Sequence, residues 1–229
     1  MFVVAPRRSS RDDEPVLLYK FKPSEPLGHI VDILLEQRLY CASYLNLNDP
    51  FEGQFLSVRT RRMDIGAHQT QPRWIGACPP KDVQAKSVAD LEDRSRHLVC
   101  SLSTGIEDVR MWSLYASGHS GVAIEIEFAD SADLHEVTYH DRLTEQNHGN
   151  PDPLNSVDVL TRKTKHWDYE QEHRLLFSEE YYSIRGQIRR VVLGAHASPA
   201  LAKLMRRIVD DDIGVVKAKL DVNGVGVIH

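Results

Sequence analysis

The segment Val122-Ala123-Ile124-Glu125-Ile126-Glu127-Phe128 limits what this chain can become more than any other. Its branched and aromatic residues Val122, Ile124, Ile126 and Phe128 recur at every second position, the period that lines one face of a β-strand and not of a helix. The two glutamates fall on the other face, where they are expected to be solvated. Weaker alternating runs recur along the chain, at Leu17 to Phe21, Leu39 to Tyr44, His97 to Ser103, Val137 to Tyr139, Glu172 to Phe177, Arg189 to Leu193 and, as an edge strand with outward lysines, Val215 to Leu220. A sheet is therefore the framework.

Helical spacing is confined to short stretches between those runs. Leu27, Ile30, Val31 and Leu34 follow the Ser24 and Pro26 start signal. Asp108 can cap a helix through Met111 to Tyr115, and Asn155 one carrying Val157, Leu160, Thr164 and Trp167. Pro199 begins a last helix with Leu201, Leu204, Met205 and Ile208. Several strand pairs lack the crossover helix that parallel pairing requires. The expectation is an α+β fold with a mixed, largely antiparallel sheet and flanking helices, rather than a doubly wound parallel one.

A flexible polar arm at 1–14 and one domain over 15–229 fit the length, with the Pro- and Gly-containing stretch 59–96 read as a polar insertion or flap. The 28 basic residues are outnumbered by 33 acidic ones and form no stripe, which argues against duplex nucleic acid held by phosphate contacts. Cys41, Cys78 and Cys100 are odd in number and widely spaced. They suggest neither a disulfide framework nor a zinc knuckle, and fit a reducing, cytoplasmic compartment. No apolar run approaches the ~20 residues that span a bilayer, and the first residues do not read as a secretion signal.

Four blocks hold more aromatic and polar residues together than packing needs: Tyr19-Lys20-Phe21, Asn48-Asp49-Pro50-Phe51-Glu52, Met111-Trp112-Ser113-Leu114-Tyr115-Ala116, and Trp167 through Arg174. In this order, from about Leu18 to Leu220, they resemble the bacterial family catalogued as domain of unknown function 2971, whose name leaves the reaction open. Chemistry has to come from the residues. Glu170, Glu172 and Arg174 have one parity in an extended chain, so two carboxylates and a guanidinium would share a face. That pattern fits a salt-bridged ladder. It also fits a catalytic carboxylate, Glu172, with Glu170 tuning it and Arg174 holding the pair.

A Glu-x-Glu opening a strand is similar to the motif that arginine-modifying ADP-ribosyltransferases place beside the nicotinamide ribose. Ser103-Thr104 followed by the Met111 to Ala116 helix resembles their serine-ended strand and aromatic-alanine helix. The resemblance implies an ADP-ribosyltransferase-like split sheet, NAD as substrate, and Glu172 stabilising a cationic sugar centre. It also implies a wall of Ser103, Trp112 and Tyr115, a cofactor grip by Tyr19 and Lys20, an unknown acceptor, and the setting of a toxin or phage-defence effector. Those enzymes use Arg or His in the first strand, and this chain does not. Asn48 and Asp49 are either substrate contacts or a simple turn, and Trp112 and Tyr115, three apart on a short helix, fit inward packing better than a wall. His119 sits in a Gly-bounded turn, where it is either simply exposed or catalytic, and His166 and His173 lack the spacing of metal ligands. The alternative reading is a non-catalytic module that binds a nucleotide or a protein.

Overall fold

Strands form where the alternating runs predict them, with differences that matter for the site. The computed structural model describes residues 15–60, 81–91, 96–129, 131–147, 150–222 and 224–227. The N-terminal arm and the middle of the expected flap lie outside the described residues. In chain order the first elements are β1 (Val16–Lys22), α1 (Gly28–Glu36), β2 (Arg38–Tyr40), β3 (Gln54–Thr60), β4 (Lys81–Ser87), β5 (Leu98–Ser103), α2 (Val109–Tyr115) and β6 (Val122–Phe128). Then come β7 (Leu134–Glu136), β8 (Thr138–His140), β9 (Glu145–Asn147), α3 (Ser156–Leu160) and β10 (Arg162–Thr164). The chain closes with β11 (Glu172–Phe177), β12 (Tyr181–Ser183), β13 (Ile188–Leu193), α4 (Pro199–Ile208), β14 (Gly214–Asp221) and β15 (Gly224–Val227).

Contacts group the residues up to Ser43, Arg96–Val137 and those from His166 onward into one unit, and Tyr44–Ser95 with Thr138–Lys165 into a second. A single domain over 15–229 was expected. The division arises because the two excursions pair with each other: β3 is antiparallel to β4 and parallel to β9. Part of the stretch read as an irregular insertion is thus a regular hairpin, registered from Gln54 opposite Ser87 to Thr60 opposite Lys81. Its polar composition misled because β4 is exposed along most of its length.

The first unit is built on an eight-stranded sheet in the order β15-β14-β13-β6-β1-β5-β11-β7, antiparallel except for β13 beside β14, which α4 connects. The α+β class with a mostly antiparallel sheet is therefore realised. β14 is not the edge strand expected from its lysines, since β15 covers it. α1 and α4 supply Ile30, Ile33, Leu34, Leu201 and Met205 to one face, against Leu18, Ile124, Ile126, Leu175 and Val191. α2 covers the other face with Met111, Trp112 and Ala116, against Tyr19, Phe21, Ala123 and Val192. Each large apolar side chain so buried contributes roughly 1.5–3 kcal/mol. β6 is covered on both sides at its centre, and this overturns the expectation for one of its two glutamates: Glu125 is 5% exposed, while Glu127 keeps a partly exposed side chain paired with Arg189.

Two other elements are shorter than their patterns. The run from Leu39 gives only a three-residue strand before a 3-10 turn at Tyr44–Asn46, and the helix capped by Asn155 stops at Leu160. In both, a cap or turn residue ends a pattern that sidedness alone would continue. Among the described residues, no helix is long and apolar enough to cross a membrane.

Candidate functional site

Five residues on five neighbouring strands form one line across the first unit's sheet. Arg190 on β13 is opposite Glu125 on β6, Glu125 opposite Tyr19 on β1, Tyr19 opposite Ser103 on β5, and Ser103 opposite Glu172 on β11. Directly opposed residues share a face of the sheet. All five therefore lie on the side that α2 covers.

Their polar groups are joined in short steps. The Tyr19 hydroxyl donates to Glu125 Oε2 at 2.7 Å, and the same oxygen receives Arg190 Nε at 2.8 Å and Nη2 at 2.7 Å. At the other end, Arg174 Nε and Nη2 donate to Glu172 Oε1 and Oε2 at 2.7 and 3.1 Å. Glu172 is 3% exposed and Arg174 fully buried. Between the ends, Ser103 Oγ donates to the Glu170 carbonyl and accepts from the Gly105 N–H at 2.9 Å, and the Tyr115 hydroxyl donates to Glu170 Oε1. Burying a carboxylate is costly unless charge or strong donors stand beside it, and here each has them.

Tyr19 shows the effect of that environment. Burial, reinforced by the Glu125 carboxylate, pushes its phenol up to about 12, so Tyr19 stays a neutral donor through the physiological range.

Local geometry differs from the extended block expected around Glu170. Lys165–Glu170 is a 3-10 turn, Gln171 adopts a left-handed φ of 43°, and β11 starts at Glu172. Glu170 is thus not on the strand ladder. Its carboxylate reaches the same neighbourhood from the turn, through Tyr115.

Lys20 does not join the line. Adjacent strand residues point to opposite faces, so the face that receives Tyr19 excludes Lys20, whose Nζ donates to the Ser101 carbonyl at 2.7 Å. Trp112 is corrected as well, from a stacking wall to core: it is fully buried, its Nε1–H donates to the Ile106 carbonyl at 2.7 Å, and Phe21 meets its ring edge-on at 5.2 Å. Asn48 and Asp49 belong to the second unit. There Asn48 is exposed, while buried Asp49 accepts the Phe51 N–H at 2.9 Å and lines a small concavity with Arg142, Arg162 and Lys163.

Glu125 and Arg190 were missed by sequence reasoning. Glu125 sits at the middle of the most apolar strand, and a charge in a strand covered on both faces needs a partner; that was the available signal. Arg190 carried none, because only the lateral register brings it to Glu125. Among the described residues, no group of three or more His, Cys, Asp or Glu side chains is placed to hold a metal ion. Comparison with protein-family models, curated proteins and solved structures finds no match for this chain.

Proposed function

We propose that the chain uses NAD in the manner of an ADP-ribosyltransferase, with Glu172 as the catalytic carboxylate. The observation that carries this reading is the line Tyr19, Ser103, Glu172 on the adjacent strands β1, β5 and β11. The enzymes that the sequence resembles draw a cofactor grip, a serine-ended strand and a glutamate into one NAD site, and here the three corresponding positions are neighbours. With Lys20 on the opposite face, the cation beside Tyr19 is Arg190, held by Glu125. Its guanidinium suits a diphosphate better than an ammonium does, because its donors form a planar fork.

In this reaction the glycosidic bond between the ribose C1′ and the nicotinamide nitrogen breaks, and the electron pair leaves with nicotinamide. An acceptor nucleophile or water then bonds to C1′ and gives up a proton. The developing positive charge on the sugar is stabilised by the Glu172 carboxylate, which Arg174 holds in place through their ion pair. Purified protein incubated with labelled NAD and bacterial lysate tests the reading. Nicotinamide release or label transfer that falls by orders of magnitude in Glu172→Gln, with the fold retained, supports it. Absence of NAD binding, of release and of transfer sinks it.

One observation favours a second reading: both oxygens of Glu172 are engaged by Arg174. A carboxylate so committed suits a rigid binding module in which the buried pair specifies the fold. Under that reading, Glu172→Gln changes ligand affinity by no more than the loss of one polar contact, and NAD is bound without turnover.

A further inference from the structure

We infer that Cys41 and Cys100 are a redox-sensitive thiol pair that closes to a cross-strand disulfide in the presence of a peroxide. The inference stands independently of the NAD reading. Ala42 and Val99 form an antiparallel bridge and exchange both backbone hydrogen bonds, at 2.9 and 2.7 Å. One residue further along that ladder, Cys41 faces Cys100. The Cys41 N–H is turned away from β5 and donates to the Glu180 carbonyl at 2.7 Å, so the cysteines occupy a non-hydrogen-bonded position. At such positions opposed Cα atoms approach to about 4.5 Å, within the roughly 4.4–6.8 Å that a disulfide spans.

The side chains agree with the backbone. Both thiols are free and buried. The facing Cys41 thiol and the nearby ammonium of Lys20 hold the Cys100 thiol below its ordinary range, against the opposing effect of burial. This gives Lys20, which the fold removes from the candidate NAD site, a role on the opposite face. Cys100 is then the attacking sulfur. Its thiolate takes one oxygen of hydrogen peroxide; the O–O bond breaks, hydroxide leaves and is protonated to water, and Cys100 becomes a sulfenic acid. The Cys41 sulfur, losing its proton, displaces the sulfenic hydroxyl as a second water. Two thiols and one peroxide give one disulfide and two waters.

The position gives the bond a consequence. The chain leaves the first unit after Ser43 and returns at Arg96, so the bond would clamp both ends of that excursion at its base. Sequence spacing hides the pair, since 58 residues lie between the two cysteines.

The test uses the full chain carrying Cys78→Ser, so that the third cysteine cannot compete. The folded protein is treated with hydrogen peroxide, and in parallel brought to equilibrium with oxidised glutathione in mild urea, where transient opening admits the reagent. The expected result is an intact-mass loss of two hydrogens, one Cys41–Cys100 cross-linked peptide, and reversal by dithiothreitol. The oxidised form should also resist urea better than the reduced form. If both cysteines remain alkylatable in both arms, or if they carry only glutathione or sulfinic adducts, the pairing is overturned.

Discussion

Both carboxylate oxygens of Glu172 are held by the guanidinium of Arg174, two residues further along the same strand, in a layer sealed from water. The sign of any substitution follows from which partner is left behind. Arg174→Met leaves a buried carboxylate without its cation and should cost about 3–5 kcal/mol. Replacing the two together, as Glu172→Leu with Arg174→Met, should cost much less than the sum of the single changes. Urea unfolding of the four proteins measures the coupling; additive effects would contradict a mutually dependent pair.

Tyr19 and Glu125 give an alkaline signature. The folded phenol is raised to about 12 from an ordinary value of 10, so its stabilising contribution is complete below pH 10 and is lost as pH rises toward 12. That loss is on the order of 2 kcal/mol. Tyr19→Phe should destabilise the protein by about 1 kcal/mol at neutral pH, yet narrow its deficit relative to the parent protein across the alkaline window. Thermal unfolding of both proteins from pH 8 to 12 checks this, and parallel curves would refute it.

His119 gives the opposite sign at acid pH. It is buried, with a left-handed φ of 68°, stacks on Trp112 at 6.2 Å and meets the His196 ring at 5.7 Å. Burial, with the charge of His196 adding to it, lowers its pKa below the ordinary 6.5. The unfolded chain therefore binds the proton first, and stability present above pH 6.5 declines as pH falls. His119→Asn suits the left-handed backbone and should flatten that decline. Urea midpoints between pH 5 and 8 decide the point.

Gly194 is required by close packing rather than by its own conformation. A Cβ there would lie 2.1 Å from the His119 carbonyl oxygen. Gly194→Ala should cost at least about 1–3 kcal/mol, because backbone and not a flexible side chain must move. Gly186, with open space around its missing Cβ but a φ of 73°, should lose only about 1 kcal/mol on the same change, from backbone strain. Equal losses at the two positions would show that the contact at Gly194 relaxes.

How far the sequence could be read depended on the range of the interaction. Val122 to Phe128 announces its strand because alternation is local, and Ser198 with Pro199 announces α4 because a cap acts within one turn. Tyr19, Ser103, Tyr115, Glu170, Glu172 and Arg174 were singled out for residue type and spacing, and the fold brings these six into one polar layer. Lys20 and Trp112 are grouped with them by the family resemblance, and each is a near neighbour in sequence of a residue that does join the layer. On a strand, proximity by one residue means the opposite face, and an aromatic on a short covering helix goes to the core.

The sequence by itself determined the α+β class, the principal strands and the residue types available for chemistry, because side-chain periodicity and caps are written within a few neighbouring residues. Only the tertiary structure decided that Arg190, Glu125, Tyr19, Ser103 and Glu172 share one line, and that Cys41 faces Cys100. Register between distant strands is fixed by the burial of both sheet faces at once, and a one-residue slip of any one strand would send its member of that line to the other side.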